Sequence, residues 1–201
     1  SASKIEEDRV EYEGNQKVKI SLLKKAYRNF RRKVFLGKKR TGYLSRDNYE
    51  EFLKKNHEWL ESYCLYKVLK KKEYGPLWLE WRRNKEAFVH KLNSRQQSAM
   101  DYHRFLQYTF FWQWQEMKAY AATKGIELLG DIPIYVAEDS SITYANPEYF
   151  KLDDEGNPYV VAGVPPDYFS KTGQLWGNPI YDWKGMKKDG YAFWKDRFRQ
   201  G

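Results

Sequence analysis

The sequence predicts an α/β chain with a helical first part, a turn-rich second part and one buried parallel strand near their junction. Of the 13 glycines and seven prolines, only four glycines and one proline precede residue 125, so few positions there break a helix. Apolar residues in that part recur at helical spacing. A nearly continuous apolar run, IELLGDIPIYV at residues 126–136, follows and is typical of a strand covered on both faces.

Five helices are expected before this run. Apolar residues at helical spacing mark four of them: Leu23–Val34, ending before Gly37; Tyr49, Phe52 and Leu53 behind the capping residue Ser45; Trp59–Leu69, closed by Gly75-Pro76; and Trp81–Leu92, ending at Asn93-Ser94. The longest runs from about Ser98 to Thr123. Its predicted buried side consists of Tyr102, Phe105, Leu106, Thr109, Trp112, Met117, Tyr120 and Ala121. Lys124 and Gly125 suit its C-terminus.

The long helix, a short turn and the apolar run form the αβ half of a parallel-sheet unit. Asp131 then stands where a parallel strand delivers side chains to the functional end of such a sheet, although it equally fits a loop cap before Pro133. In VAEDSS, Asp139 or Ser140 is expected to cap a short helix. Residues 153–158 are expected to form an acidic turn.

Charge is distributed unevenly along the chain. The net charge is +9, and the first 100 residues are strongly basic. The stretch at 24–40 interleaves aromatic residues with cations and leaves nucleic acid open as a partner. However, its aromatics fall on one helical face and its cations on the other, as in an ordinary surface helix. No nucleic-acid partner is therefore expected.

Several classes of protein and site have no support. The sequence has no long apolar run or signal-like N-terminus, so no membrane association is expected. A single cysteine, Cys64, fits the cytoplasm and is expected to be a small buried residue. The three histidines form no metal-binding pattern, and no nucleotide-binding or acyl-transfer motif occurs. We expect no metal and no cofactor.

Residues 160–183, VVAGVPPDYFSKTGQLWGNPIYDW, are predicted to form a long ordered loop, neither helix nor strand. Prolines and glycines punctuate it, yet it carries five large aromatics: Tyr168, Phe169, Trp176, Tyr181 and Trp183. Aromatic rings beside Asp167, Gln174 and Asn178 suit a carbohydrate, because sugar rings offer apolar faces for stacking and hydroxyls for hydrogen bonds. The alternative is a loop whose aromatics only anchor it to its own core.

The segments GDIPIYVAEDS, NPEYFKLDDEGNPYVVAGVPPDYFS and TGQLWGNPIYDW closely resemble the amylomaltases, the 4-α-glucanotransferases that disproportionate α-1,4-glucans. The match is dense over residues 100–201 and looser in HEWLESYCLYKVLKKKEYGPLWLEW. The resemblance implies a (β/α)8 barrel with helical insertions and a retaining transglycosylase acting on α-1,4-glucans and maltooligosaccharides. It assigns residues 1–98 to a mainly helical insertion and residues 99–201 to a barrel segment.

The resemblance also implies roles for individual residues. Asp131 matches the family's active-site aspartate after the third barrel strand. A flexible lid that contacts glucan and favours sugar over water as acceptor matches the loop carrying Asp167, Tyr168, Phe169, Gln174 and Trp176. Asn178, in the same stretch, is taken as a further substrate-binding residue.

The family's nucleophile lies in a segment resembling RIDHFRGF, which would follow DRFRQ at the end of this sequence. Its acid/base glutamate lies further on, and a full barrel needs roughly 250 residues. We therefore expect an internal piece of such an enzyme, without the catalytic pair and inactive alone. Two alternatives from other classes are a non-catalytic carbohydrate-binding module and a basic nucleic-acid-binding helical domain.

Overall fold

The computed structural model describes residues 10–36, 44–70 and 92–200, and helices dominate these ranges. None of the helices described is both long and apolar enough to cross a membrane. In chain order the elements are α1 (Tyr12–Phe30), a π-helical turn (Arg31–Phe35), α2 (Arg46–Lys55), α3 (His57–Leu69), α4 (Ser94–Thr123), α5 (Ser141–Ala145), a 3-10 turn (Pro147–Tyr149), β1 (Val161–Val164), β2 (Gln174–Pro179), α6 (Trp183–Lys188) and α7 (Ala192–Gln200).

The predicted helix starts are confirmed where side chains supply the caps. Ser45 Oγ accepts a hydrogen bond from the backbone N–H of Asn48 at 3.1 Å and so begins α2. Helix α4 begins at Ser94, earlier than predicted, because Asn93 and Gln96 form a reciprocal capping box. Asn93 is therefore the N-cap of this helix. The predicted helix through Trp81, and the Gly75-Pro76 stop, lie outside the described residues.

Helix α4 ends as predicted, but its buried side is shorter than predicted. Gly125 adopts a positive φ of 67°, and its N–H reaches the carbonyl of Ala122. Phe105 and Tyr108 are buried, whereas the predictions for Met117 and Tyr120 are wrong, since both are exposed. Every residue of α4 from Gln113 to Tyr120 is exposed.

One compact unit contains the described residues up to His57 together with Asp101–Met117. Its core is an aromatic cluster of Phe30, Val34, Tyr49, Phe105 and Tyr108. The Phe30 ring lies 5.0 Å from Phe105 and 5.2 Å from Tyr49. The cations Arg28, Arg31 and Arg32 on the same chain segment are exposed. The predicted separation of aromatic and cationic faces is confirmed there.

The second compact unit contains the described residues within Glu58–Met100 and Lys118–Gly201. Helix α3 contributes Leu60, Cys64, Val68 and Leu69 as buried side chains, which confirms the prediction for Cys64. A separate cluster, which we call the C-terminal cluster, consists of Val136, Phe150, Tyr181 and Met186. The division at residue 98 concerns membership of a barrel, which these contacts do not test, and it stays a prediction.

The predicted buried strand at 126–136 is wrong. These residues form irregular, mostly exposed chain: Leu129 is 101% exposed and Ile134 is 70% exposed, and only Val136 is buried. A strand needs a neighbouring strand for its backbone groups, and none of the described residues forms one beside this segment.

The prediction that residues 160–183 contain no strand is also wrong. β1 and β2 pair as an antiparallel hairpin in which Val164 lies opposite Gln174. Glycine allows the two strands to approach closely: a Cβ at Gly163 would lie 2.7 Å from the Gln174 carbonyl oxygen. The glycines that suggested a broken chain therefore make the pairing possible.

Three smaller predictions concern polar positions. Ser140 caps α5 by accepting a hydrogen bond from the N–H of Thr143, as predicted. The acidic turn at 153–158 is confirmed, with the Asp153 carboxylate accepting from the N–H of Asn157 at 2.7 Å. His57 is exposed and His103 half-buried, which fits their predicted surface or core positions. His90 lies outside the described residues.

Candidate functional site

The tip of the hairpin, residues 165–173, is held by its own hydrogen bonds. The Asp167 carboxylate accepts from the N–H groups of Phe169 and Ser170 at 2.9 and 2.8 Å. The Ser170 hydroxyl donates to the Gly173 carbonyl at 2.6 Å. These short-range bonds are those of an Asx-type turn, so Asp167 shapes the tip and keeps only part of its carboxylate for a ligand.

The tip displays two aromatic rings side by side. Tyr168 is 97% exposed and Phe169 is 86% exposed. Their ring centroids lie 5.7 Å apart, nearly perpendicular, so each ring leaves a face uncovered. Together the two rings form an exposed apolar patch, a feature that can mark a binding site. The pair can stack against a sugar ring.

Along β2, Gln174 and Trp176 form a second group. The Trp176 indole N–H donates to the Gln174 amide oxygen at 3.1 Å, which leaves the Gln174 amino group able to donate to a ligand. The Trp176 side chain is half-exposed and packs edge to face on Tyr135, with the ring centroids 6.0 Å apart. The sequence prediction did not include Tyr135, which had no signal beyond its aromatic character.

Asn178 and Tyr181, beyond Trp176, turn towards the protein. The Asn178 amide donates to the Val136 carbonyl at 2.9 Å, and the Tyr181 hydroxyl donates to the Ile134 carbonyl at 2.9 Å. Burial raises the pKa of Tyr181, so it stays a neutral donor. Of the five aromatics in residues 160–183, Tyr181 alone is buried. Tyr181 therefore anchors this stretch to its own core, as the alternative expected, while the exposed rings stay candidates for sugar contact.

Asp131 is exposed, and its carboxylate makes no hydrogen bond with another residue in the described ranges. The chain after it is held at several points, including the Pro133 carbonyl, which accepts from Arg197 at 2.6 Å. The Arg197 guanidinium also lies over the Trp194 ring, 5.2 Å from its centroid. Asp131 is thus an accessible acid next to an anchored backbone.

Further along, Tyr66 of α3 and Lys70, which directly follows α3, hold Asp139. The Tyr66 hydroxyl donates to the Asp139 carbonyl at 2.7 Å, and Lys70 Nζ lies 2.7 Å from an Asp139 carboxylate oxygen. The hydrogen bond to Asp139 raises the pKa of Lys70, and burial raises the pKa of Tyr66. These groups are committed to each other, which is typical of a structural contact.

The structure thus brings the predicted residues together in three groups: Asp167, Tyr168 and Phe169 at the tip; Gln174 with Trp176 on β2; and Asn178 against the chain after Asp131. In the described part of the chain, no three histidine, cysteine, aspartate or glutamate side chains form a group that could hold a metal ion. The chemistry on offer is that of stacking surfaces, amides and carboxylates, as sugar hydroxyls require.

Comparison with solved structures finds the same fold. The amylomaltase from Streptococcus agalactiae in complex with acarbose matches 96% of this chain with a TM-score of 0.81 and 34% sequence identity, over 38% of its own length. At that identity the chain has the fold of part of an amylomaltase.

Comparison of sequences gives the family. A family model described as 4-alpha-glucanotransferase matches residues 1–201. The 4-alpha-glucanotransferase of Aquifex aeolicus is 43% identical over 91% of this chain, and that of Thermus thermophilus is 41% identical over 89%. The chain spans about a third of the length of these curated relatives, 36% and 35% respectively. With the family match extending over every residue of the sequence, the chain belongs to the 4-alpha-glucanotransferase family.

Proposed function

We propose that this chain is the glucan-contacting segment of an enzyme that transfers α-1,4-glucan units between maltooligosaccharides by a retaining mechanism. The observation that carries the proposal is the Tyr168–Phe169 pair, two aromatic rings displayed at a tip that is stiffened by Asp167. Such rings stack on the apolar faces of glucose residues. In the larger enzyme, residues 99–201 would belong to a (β/α)8 barrel and residues 1–98 to a helical insertion.

A retaining mechanism needs two carboxyl groups roughly 5 Å apart, one as nucleophile and one as acid and base. We propose that both come from outside these 201 residues. Asp131 would accept hydrogen bonds from hydroxyls of the glucose unit at the reacting centre, which its exposed carboxylate allows. Its contribution would be to orient the sugar and stabilise its distorted form, so that its loss slows every turnover.

The hairpin would determine whether the glycosyl-enzyme reacts with a sugar acceptor or with water. Tyr168, Phe169 and Trp176 would stack on the acceptor glucan, while the Gln174 amino group donates to a hydroxyl. An acceptor held in line has an effective concentration that water cannot match, and the closed hairpin excludes water. Transfer would therefore be faster than hydrolysis while the hairpin covers the site.

The test compares two proteins on maltotriose: the 201-residue chain and the complete enzyme that carries it. We expect glucose and longer glucans from the complete enzyme and no turnover by the 201-residue chain. Turnover by the isolated chain, free of host enzyme, would contradict the placement of the catalytic pair. If the complete enzyme bound maltooligosaccharides but did not transfer them, the chain would belong to a carbohydrate-binding module instead.

We expect no nucleic-acid binding by the basic first part. Phe30 and Val34 of the stretch at 24–40 are buried in the aromatic cluster and cannot stack on bases. The exposed cations alone would give weak binding that falls steeply with salt. A fluorescence polarisation titration with a single-stranded oligonucleotide at 150 mM salt should show no saturable binding.

A further inference from the structure

Side chains, instead of a neighbouring strand, hold the backbone of residues 133–139. Five carbonyl oxygens in this short segment each accept a hydrogen bond from a side-chain donor: Pro133 from Arg197 at 2.6 Å, Ile134 from Tyr181 at 2.9 Å, Val136 from Asn178 at 2.9 Å, Ala137 from Thr143 at 2.9 Å and Asp139 from Tyr66 at 2.7 Å. Backbone carbonyls normally find backbone partners. Here the position of the segment depends on the identity of individual side chains.

Two of these donors come from the end of the hairpin. Asn178 lies on β2 and Tyr181 follows three residues later, with the buried Pro179 between them. They hold carbonyls two residues apart on the segment that follows Asp131. The strand that carries Gln174 and Trp176 is therefore tied directly to the chain that carries Asp131.

Tyr181 is the more informative of the two donors because no ligand can reach it. Its side chain is 2% exposed. Its ring packs against Phe150, with centroids 5.1 Å apart, and against Trp194, with centroids 5.3 Å apart. Packing against these two rings fixes the orientation of the Tyr181 ring. Its hydroxyl is therefore held in position to donate to the Ile134 carbonyl.

We propose that Tyr181 is a positioning residue, which together with Asn178 fixes the backbone after Asp131 and so sets where the Asp131 carboxylate stands relative to a glucan bound by the hairpin. This inference rests on the proposed function. In this proposal the end of β2 does not contact the sugar. It fixes the position of the Asp131 carboxylate relative to the aromatic rings of the hairpin. Asn178, which the sequence suggested as a substrate-binding residue, is committed through one of its amide N–H groups to this task.

The decisive variant is Tyr181→Phe in the complete enzyme, because it removes one hydroxyl and leaves the ring in place. The matched control is Tyr149→Phe, which removes a hydroxyl from a ring packed against the same C-terminal cluster but bonded to Asp189 instead of the segment. We measure amide hydrogen exchange by mass spectrometry over residues 131–139, and kcat and KM for maltotriose disproportionation.

For Tyr181→Phe we expect exchange over residues 131–139 to rise about fivefold, the usual consequence of losing one buried hydrogen bond. We expect kcat to fall by a similar factor while KM changes less than twofold, since the stacking surface is intact. Tyr149→Phe should change neither quantity. Asn178→Asp, which keeps the side-chain shape but replaces the donor with an acceptor, should reproduce the exchange result if Tyr181→Phe folds poorly.

Two results would overturn the proposal. In one, exchange over residues 131–139 is unchanged in both variants. In the other, exchange rises but kcat of the folded enzyme stays at the wild-type value, which would make Tyr181 a purely structural residue. If the wild-type complete enzyme does not transfer glucan at all, the proposed function fails, and the positioning of Asp131 for catalysis fails with it. The exchange comparison still decides whether Tyr181 fixes the segment, so the two failures are distinguishable.

Discussion

Aromatic side chains serve opposite purposes in the helical cluster and in the hairpin tip. Phe30 is 5% exposed, with three aromatic rings within 6.3 Å of its own. Tyr168 is 97% exposed, and within the described part of the chain the one ring close to it is that of its neighbour Phe169. Burying a ring of this size contributes about 2–3 kcal/mol to folding, which the tip gives up. Folding of this chain therefore explains the first group, whereas for the second group we have proposed binding.

The difference has a local cause that can be followed in the sequence. Phe30 and Val34 are four residues apart on one helical segment, so both side chains meet the same core. Tyr168 and Phe169 are consecutive on a turn whose conformation is fixed by the Asp167 carboxylate. The turn points both rings outward, and a helix would not.

The largest expected effect is on stability, and it compares a buried ring of the helical cluster with an exposed ring of the hairpin tip. Phe30→Ala should lower the free energy of unfolding by about 3–5 kcal/mol, the usual cost of emptying a packed aromatic site. Tyr168→Ala should change it by less than about 0.5 kcal/mol, because the ring has almost no packing to lose. Urea unfolding of the complete enzyme, followed by circular dichroism, measures both. Equal losses in the two variants would mean that the tip is part of a core.

A second pair of variants compares the cost of replacing two glycines of the hairpin by alanine. Gly173 and Gly177 both have a φ of 76°, so alanine at either should cost about 1–2 kcal/mol of backbone strain. A Cβ at Gly173 would lie 2.5 Å from the Val164 carbonyl oxygen, whereas a Cβ at Gly177 would meet nothing within 4 Å. Gly173→Ala should therefore cost a further ~1–3 kcal/mol. Hydrogen exchange of the β1 and β2 amides reports the difference, and a larger effect at Gly177 would contradict it.

The third prediction concerns the displayed rings in turnover. Tyr168→Ala in the complete enzyme should remove stacking of about 1 kcal/mol and so lower the ratio of transfer to hydrolysis about fivefold. Asp131→Ala should lower transfer and hydrolysis together, since the proposed contact with the reacting sugar would be lost in both. Glucose and longer glucans from maltotriose give both rates. Tyr159→Ala, at a tyrosine that is 66% exposed but outside the tip, is the matched control and should leave the ratio unchanged.

The helices were predictable because their information is local. The spacing of Phe30 and Val34 and the cap at Ser45 are visible within one or two turns of chain. The strand at 126–136 failed for the opposite reason: an apolar run specifies a strand only if another strand lies beside it, and that partner is not encoded in the run itself. The segment is held instead by distant side chains such as Tyr181 and Arg197, which no local pattern connects to it.

The residue types of the candidate site could be predicted from the sequence. Which of its aromatic rings are exposed and which are buried could not. Composition suggested a sugar surface on residues 160–183 and left open whether the rings bind or anchor. The structure divides them, with Tyr168 exposed and Tyr181 buried. Composition alone does not distinguish these two tyrosines, because the distinction depends on Phe150 and Trp194 packing around the second.

The smallest expected effect concerns Tyr149, which belongs neither to the buried helical cluster nor to the exposed hairpin tip. Its ring packs on Phe193, with the centroids 5.4 Å apart, while its hydroxyl donates to the Asp189 carboxylate. That hydrogen bond, with a smaller contribution from burial, raises the pKa of Tyr149 to about 12. The same hydrogen bond lowers the pKa of Asp189. Because the folded state holds the phenol proton more tightly than the unfolded chain does, the stabilisation is complete below pH 10 and is lost as the pH rises to about 12.

Asp189 gives the opposite sign at the acid end. Its pKa is lowered by folding, so its contribution is complete above its ordinary pKa of about 4 and is lost as the pH falls further. Tyr149→Phe should therefore lower the melting temperature by at most about 3 °C between pH 5 and 9, the usual worth of one exposed hydrogen bond in a chain of this size. The difference from wild type should shrink towards pH 3 and again towards pH 12. Melting curves of both proteins across that range measure it, and a difference that stays constant with pH would show that the ring alone, and not its bond to Asp189, stabilises this region.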